Sequence, residues 1–443
     1  MPSLTARLVR QIRGKPVNDG DIEQAANFLL DAIANIIAGT NSGPGRKILA
    51  WARALSRAGG LAGLDQPRQA FVLGALCHIL EVDDLHRASV VHPGCVVVPA
   101  LVALGGGRDG RQVLTGLLHG FEATTRIGMS VGPAHYRIWH NTATCGPFGS
   151  AMASAHLLGL DDGQAMHALG NAGSQAAGLW EFLATGAETK HLHAGRGAEA
   201  GVVAAGLAAH GFTGAPRILE GERGFFRAAC PDGDPARLLA EPDAPWQVHL
   251  TSIKPWPSCR HTHPAIACAA AIHGQMKKNG LAIETIEKIT VETYQAALDL
   301  CDRDDPDTPY AAKFSLHHCV AAALSQPQVG FSAFEAEARQ RLAPLRHKTE
   351  VRIGAAQQAA YPAHWGTRLG VRFGDGRHLE AEVRDALGDP EAPVAREGLV
   401  AKAADLMTHG GWPCPDATIA AILAMAEGGP LPDFVAMIDD RVV

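Results

Sequence analysis

The stretch DIEQAANFLLDAIANIIAGT (21–40) puts Ile22, Ala26, Leu29, Ile33 and Ile37 at steps of three and four residues. That spacing lines one face of an α-helix, and Gly39 supplies a stop. The same periodicity continues downstream. RQAFVLGALCHILE (68–81) reads as a second helix, and CVVVPALVALGG (95–106) as a third that tolerates Pro99 near its start. RQVLTGLLHGFEATTRIGMSV, GPFGSAMASAHLLGL, DDGQAMHALGNAGSQAAGL and GRGAEAGVVAAGLAAHG extend the series, their small residues suited to close helix approach.

Near residue 245 the period changes. IEKITVETY (286–294), EVRIG (350–354), GTRLGVRF (366–373) and RHLEAEVRDA (377–386) have strand character, and GDG (374–376) between the last two is a hairpin signal. Helical stretches such as HPAIACAAAIHGQMKKNG lie among them. After GDPEAP (388–393) the chain turns helical again in REGLVAKAADLMT and DATIAAILAMAEG. The expected architecture is mainly α. A large all-helical domain is formed by both termini, residues 1–249 and 389–443, with a smaller α+β lid domain, 250–388, inserted between them.

The bulk numbers agree with this plan. A chain of 443 residues exceeds one ordinary core, and 47% hydrophobic with 19% charged residues describes a well-buried globular protein. Aromatics are only 5%, and 49 glycines favour packed helices over a β-sandwich. A net charge of −6 gives no basic footprint for nucleic acid, and no apolar run reaches membrane-spanning length. The N-terminal MPSLTARLVRQIRGK is followed by no apolar signal region. Nine scattered cysteines without a CxxC pair read as reduced thiols of a cytoplasmic protein.

Ionisable chemistry concentrates in four stretches. EVDDLHRASVVHPGC (81–95) carries Glu81, Asp83, Asp84, His86 and His92 directly after an apolar helix. RIWHNTATCGPFG (137–149) sets His140 and Asn141 before a small-residue helix, and TKHLHAGRGAEAGV (189–202) brings Lys190, His191, His193 and Arg196 to a helix start. IKPWPSCRHTHPAIA (253–267) holds Lys254, Cys259, Arg260, His261 and His263 at the domain boundary. Together these supply lysines to neutralise carboxylates and histidines that exchange protons near neutral pH. That collection suits a small di- or tricarboxylate. A metal held by HLH (191–193) or HTH (261–263) with Asp83 or Asp84 is a rival reading, but no three-ligand spacing supports it. A non-catalytic binding protein is another.

In this order the four stretches, with GFTGAPRILEG (211–221), resemble the MmgE/PrpD family over most of the chain. The family pattern runs D-x-D-D-T-H to HP, then H-x-T-x-x-G-x-F-G, then K-x-x-H-x-G-x-A-A, then K-x-x-P-S-C-x-x-T-H-P-A. The resemblance implies a helical domain with an α+β lid, a homodimer, and a site between domains that needs neither metal nor organic cofactor. By motif position it implies Glu81, His92, His140, Lys190 and Lys254 as catalytic. Asp83, Asp84, His86, Asn141, His193, Cys259 and His263 are then supporting or substrate-binding. It implies a lyase, dehydratase or decarboxylase in type, that moves a proton α to a carboxylate. The alternative is an epimerase of a dicarboxylate such as iminodisuccinate. Glu81 replaces the family's first Asp, Leu85 replaces its Thr, and Cys259 stands where the cis-aconitate decarboxylases carry His. These departures point to a substrate other than 2-methylcitrate or cis-aconitate.

Overall fold

The computed structural model describes residues 2–56, 59–326 and 328–439. The outermost positions of the expected helical domain, 1 and 440–443, with 57–58 inside it, lie outside the described residues. The chain divides into two compact units, one running to Ile253 and resuming at Ala395, the other Lys254–Val394.

The first unit opens with α1 (Leu4–Gly14), α2 (Asp19–Thr40), α3 (Gly43–Leu55) and α4 (Gln66–His78). It continues with α5 (Gly94–Gly105), α6 (Gly110–Ser130), α7 (Asn141–Leu157), α8 (Asp162–Gly173) and α9 (Thr189–Ala209). Polar side chains fix the starts. Asn18 and Asp21 form a reciprocal capping box on α2, as Asp161 and Gln164 do on α8. Nearly every residue of α5 is buried, as expected of a helix apolar all round. Helix α9 runs against α4, α7 and α8. A Cβ on its Gly201 would lie 2.3 Å from the backbone nitrogen of Ala151, so only glycine permits this approach of α9 to α7. Sequence reading found the long apolar helices but passed over α1 and α3, which are amphipathic yet carry few apolar residues.

The second unit is a four-stranded sheet with helices on it. Strands β1 (Ile286–Thr293), β2 (Thr349–Ile353), β3 (Thr367–Phe373) and β4 (His378–Val383) take the order β2-β1-β3-β4. The β1–β2 pair is parallel, and the other two pairs are antiparallel. The GDG hairpin joins β3 to β4 with Leu369 opposite Ala381 and Val371 opposite Leu379. Thr367, Leu369, Val371 and Phe373 alternate inward. Helix α10 (His263–Lys278) packs on β3, β4 and α11 (Leu316–Ser325), and α12 (Ala336–Arg346) packs on α11.

The chain then returns to the first unit. Helices α13 (Arg396–His409) and α14 (Pro415–Ala424) pack on α2. The fold is therefore mainly α with a small inserted α+β region. The composition shift marks residues 249 and 388, whereas the units meet four and six residues later. Backbone pairing of Leu85 with Ser252 holds 252 to the helical unit, and a buried Arg260–Asp389 pair holds 389 to the sheet unit.

One buried ionic network organises the helical unit. Glu122 on α6 accepts from Lys15 Nζ at 2.9 Å, Arg126 Nε at 2.7 Å and the Gln247 backbone N–H at 2.8 Å. Arg126 also donates to the carbonyls of Leu238, Ala240 and Glu241. Breaking a buried pair by removing one partner strands the other charge, at about 3–5 kcal/mol. Glu122→Leu should therefore lower urea stability by roughly that amount, and adding Arg126→Met should recover part of the loss.

Candidate active site

The segment between α4 and α5 crosses the interior of the helical unit without regular structure, so its polar groups need other partners. It finds them. Both carboxylate oxygens of Asp84 accept the Gly94 N–H, at 3.1 and 2.9 Å, and cap α5. A Cβ at position 94 would lie 2.9 Å from an Asp84 oxygen, which accounts for the glycine of HPG. His86 and Val91 pair through both backbone groups, and the His86 ring meets Ser89 Oγ at 2.8 Å. From α7, Asn141 Nδ2 donates to the Ser89 carbonyl at 2.8 Å, and Thr142 Oγ1 accepts the His92 N–H at 3.1 Å. The second motif thus clamps the first.

Two non-glycine residues in this segment, Glu81 (φ 62°) and Val90 (φ 50°), adopt left-handed backbone. Each such residue costs on the order of 1–2 kcal/mol, a cost the surrounding contacts must offset. Glu81 is buried and its carboxylate meets the ammonium of Lys190, in the first turn of α9. One turn on, His193 Nδ1 lies 3.2 Å from His140 Nδ1. The His140 ring stacks on His78 at 5.7 Å between centroids and tilts against Trp180 at 4.5 Å. His78 in turn meets the His92 ring edge-on at 4.7 Å. Asp83 Oδ2 stands 2.6 Å from His78 Nδ1 and 3.4 Å from His92 Nδ1.

Burial disfavours the charged form of His140, His193 and His86. Burial lowers His140 well below the ordinary imidazole range, and the positive neighbours His78, Lys190, His193 and His92 push the same way. Burial, then His78 and Lys190, bring His193 to about 4. Burial also brings His86 to about 4 against an opposing hydrogen bond from Gln247. The tautomer of His92 is fixed by geometry. Its Nδ1 is 2.5 Å from the Asp84 carbonyl oxygen, which can only accept, so Nδ1 carries the hydrogen and Nε2 the lone pair. Between His140 and His193 a single proton serves two facing Nδ1 atoms, so either ring can hold it.

The helical unit thus brings together Glu81, Asp83, His92, His140, Lys190 and His193, while Asp84, His86 and Asn141 brace the segment. Lys254, Cys259 and His263 belong to the sheet unit. There Lys254 is buried, Cys259 N–H donates to the Lys313 carbonyl at 2.9 Å, and His263 begins α10 with its Nε2 3.3 Å from the Ser258 carbonyl. Sequence reasoning missed His78, hidden as the last residue of an apolar helix, and Trp180, in a segment with no periodic signal. A histidine three residues before an acidic run was the available clue to the first.

Donor atoms of His78, Asp83 and His92 lie within 4.8 Å of one another, a possible cation set. Ligation at about 2.0–2.2 Å by these atoms would displace the Nδ1 hydrogens from Asp83 and from the Asp84 carbonyl. The hydrogen-bonded arrangement does not fit that group. A second set, His364, Asp385 and Glu391, has Arg384 Nη2 donating to His364 Nε2 at 2.7 Å, which occupies the nitrogen a cation needs. Of the motif histidines once considered as ligands, His261 is stacked on Trp365 and bonded to Tyr294.

Family models of the MmgE/PrpD N-terminal domain and C-terminal domain match residues 4–238 and 256–425. The chain belongs to the MmgE/PrpD family. A cis-aconitate decarboxylase-like protein, oryM, of Aspergillus oryzae is 28% identical over 66% of this chain and 58% of its own length. A cis-aconitate decarboxylase of Aspergillus terreus is 24% identical over 75% of this chain and 73% of that protein. The cis-aconitate decarboxylase of Homo sapiens is 27% identical over 58% and 54%. The chain thus spans a little over half the length of two of these relatives.

Neutral buried histidines carry a pH signature. Unfolded, His86 binds its proton near 6.5, and folded only near 4. Below pH 6.5 the unfolded state takes protons that the folded state does not, so stability falls as pH drops toward 4. Urea midpoints should be lower at pH 5 than at pH 7.5. His86→Asn should shrink that difference by about 1–2 kcal/mol.

Proposed function

We propose that this protein is a cofactor-independent lyase, of dehydratase or decarboxylase type, acting on a small di- or tricarboxylic acid. The observation that supports it most is the cluster of imidazoles of controlled charge beside a buried lysine. His92 offers an unprotonated Nε2 as base, and the His140–His193 pair shares a proton it can release. Lys190 carries a positive charge that a substrate carboxylate can share with Glu81. The cis-aconitate decarboxylase names of the relatives favour the same class.

The step is a proton transfer. His92 Nε2 takes the proton α to a carboxylate, and the electron pair delocalises into that carboxylate, where Lys190 stabilises the added charge. In dehydration the pair then forms the alkene as the β C–O bond breaks, and the departing hydroxyl takes its proton from His140 to leave as water. In decarboxylation His92 removes no proton: the C–C bond to the carboxylate breaks, CO2 leaves, the pair stays on the carbon beside Lys190, and a cluster imidazole that has taken a proton from solvent delivers it to that carbon. Lys254, Cys259 and His263 are assigned substrate contacts by motif position alone. Glu81 in place of Asp moves its carboxylate roughly 1.5 Å, one C–C bond, which changes which substrate fits.

Assay of a panel of di- and tricarboxylates, following alkene absorbance and released CO2, tests this. Turnover of one of them with neither signal but with loss of optical activity would instead establish an epimerase using the same two imidazoles. His140→Ala should lower kcat by about 10²–10⁴-fold with little change in KM. Lys190→Ala should damage both constants, because its charge pairs with a carboxylate before and during the reaction. Efficient turnover of 2-methylcitrate or cis-aconitate by the wild type would contradict the shifted substrate.

A further inference from the structure

His78 has no part in the mechanism above, yet it stands at the centre of the cluster. It is fully buried at the end of α4, edge-on to His92 and stacked on His140. Its Nδ1 lies 2.6 Å from Asp83 Oδ2, while its buried Nε2 has no hydrogen-bond partner among the described residues. The bond is the useful contact, and the partner explains why.

The same Asp83 oxygen stands 3.4 Å from Nδ1 of His92. An ionised carboxylate at that distance favours the imidazolium form, which has no lone pair to act as base. A donor hydrogen-bonded to that oxygen fixes where it points and draws off part of its pull. We propose that His78 is a positioning residue which, through Asp83, orients His92 and keeps it neutral. This rests on the reading of His92 as the base. The other titratable groups around the cluster are Cys77, Asp84, Cys95, His140, His193 and the Glu81–Lys190 pair. Asp84 accepts the Gly94 N–H, and burial with the nearby acids pushes the Cys77 and Cys95 thiols up, so both thiols stay protonated near neutrality.

Two substitutions separate donor from shape. Asn can place an amide N–H where Nδ1 stands, whereas Phe fills the ring's volume and donates nothing. The His92 titration is read by NMR in histidine-labelled protein, its resonance identified by loss in His92→Gln. In His78→Phe the His92 midpoint should rise by about one pH unit, and in His78→Asn it should stay within a few tenths of wild type. An unchanged midpoint in His78→Phe, or equal shifts in both variants, would overturn the proposal. Should His78→Phe not fold, His78→Gln serves, since its amide reaches the Nε2 position and leaves Asp83 without the donor. The acid limb of kcat/KM against pH separates this idea from the one beneath it. If the NMR midpoint moves as stated and the limb does not follow, the positioning role stands and His92 is not the base.

Discussion

Everything in the helical unit turns on the need to carry one irregular, polar segment through a buried interior. Residues 79–93 cannot satisfy their backbone groups by a helix or a sheet, so each is met from a different direction. Asp84 caps α5, Leu85 pairs with Ser252, α7 reaches in with Asn141 and Thr142, and Lys402 of α13 donates to the Val82 carbonyl at 2.8 Å. Within this frame Glu81 pairs with Lys190 of α9, and Asp83 stands between His78 of α4 and His92. The clustering of these side chains follows from how the chain satisfies an irregular segment.

That arrangement also clarifies why charge is tolerated in an apolar setting. Glu81, Asp83 and Asp84 each have a donor or a cation close by, and burial together with positive neighbours holds His140 and His193 below the ordinary imidazole range. Neutral rings packed face and edge cost little desolvation, whereas several imidazolium ions at the same spacing would repel strongly. The network of Glu122, Lys15 and Arg126 follows the same rule at a distance from the site.

Much of this could be read from residues alone. The three- and four-residue spacing of Ile22 to Ile37 announced α2, and GDG announced the β3–β4 hairpin, because each depends on local chemistry. The ordered motifs likewise marked Glu81, His92, His140 and Lys190. What escaped was set by distant packing. Nothing local distinguishes His78 from any histidine at a helix end, and its place in the cluster is set by Asp83 and by rings contributed by other segments. Arg196 looked like part of the basic helix start, but α9 turns it outward to Glu199. Asp84, read as a supporting residue, accepts the Gly94 N–H, a role no sequence pattern specified.

The reach of Lys402 has a consequence for how the chain comes together. Its ammonium joins Asp31 of α2 and the Val82 carbonyl, so a residue made 320 positions after Val82 completes that segment. On the ribosome, the first helices must wait in an open form while the whole sheet unit, Lys254–Val394, emerges and folds. Closing so long an intervening loop adds little entropy beyond a short one, since each doubling costs only about 0.6 kcal/mol. The delay, rather than the closure, is the vulnerable interval, when the apolar surface of α2 lacks the cover that α13 and α14 later provide.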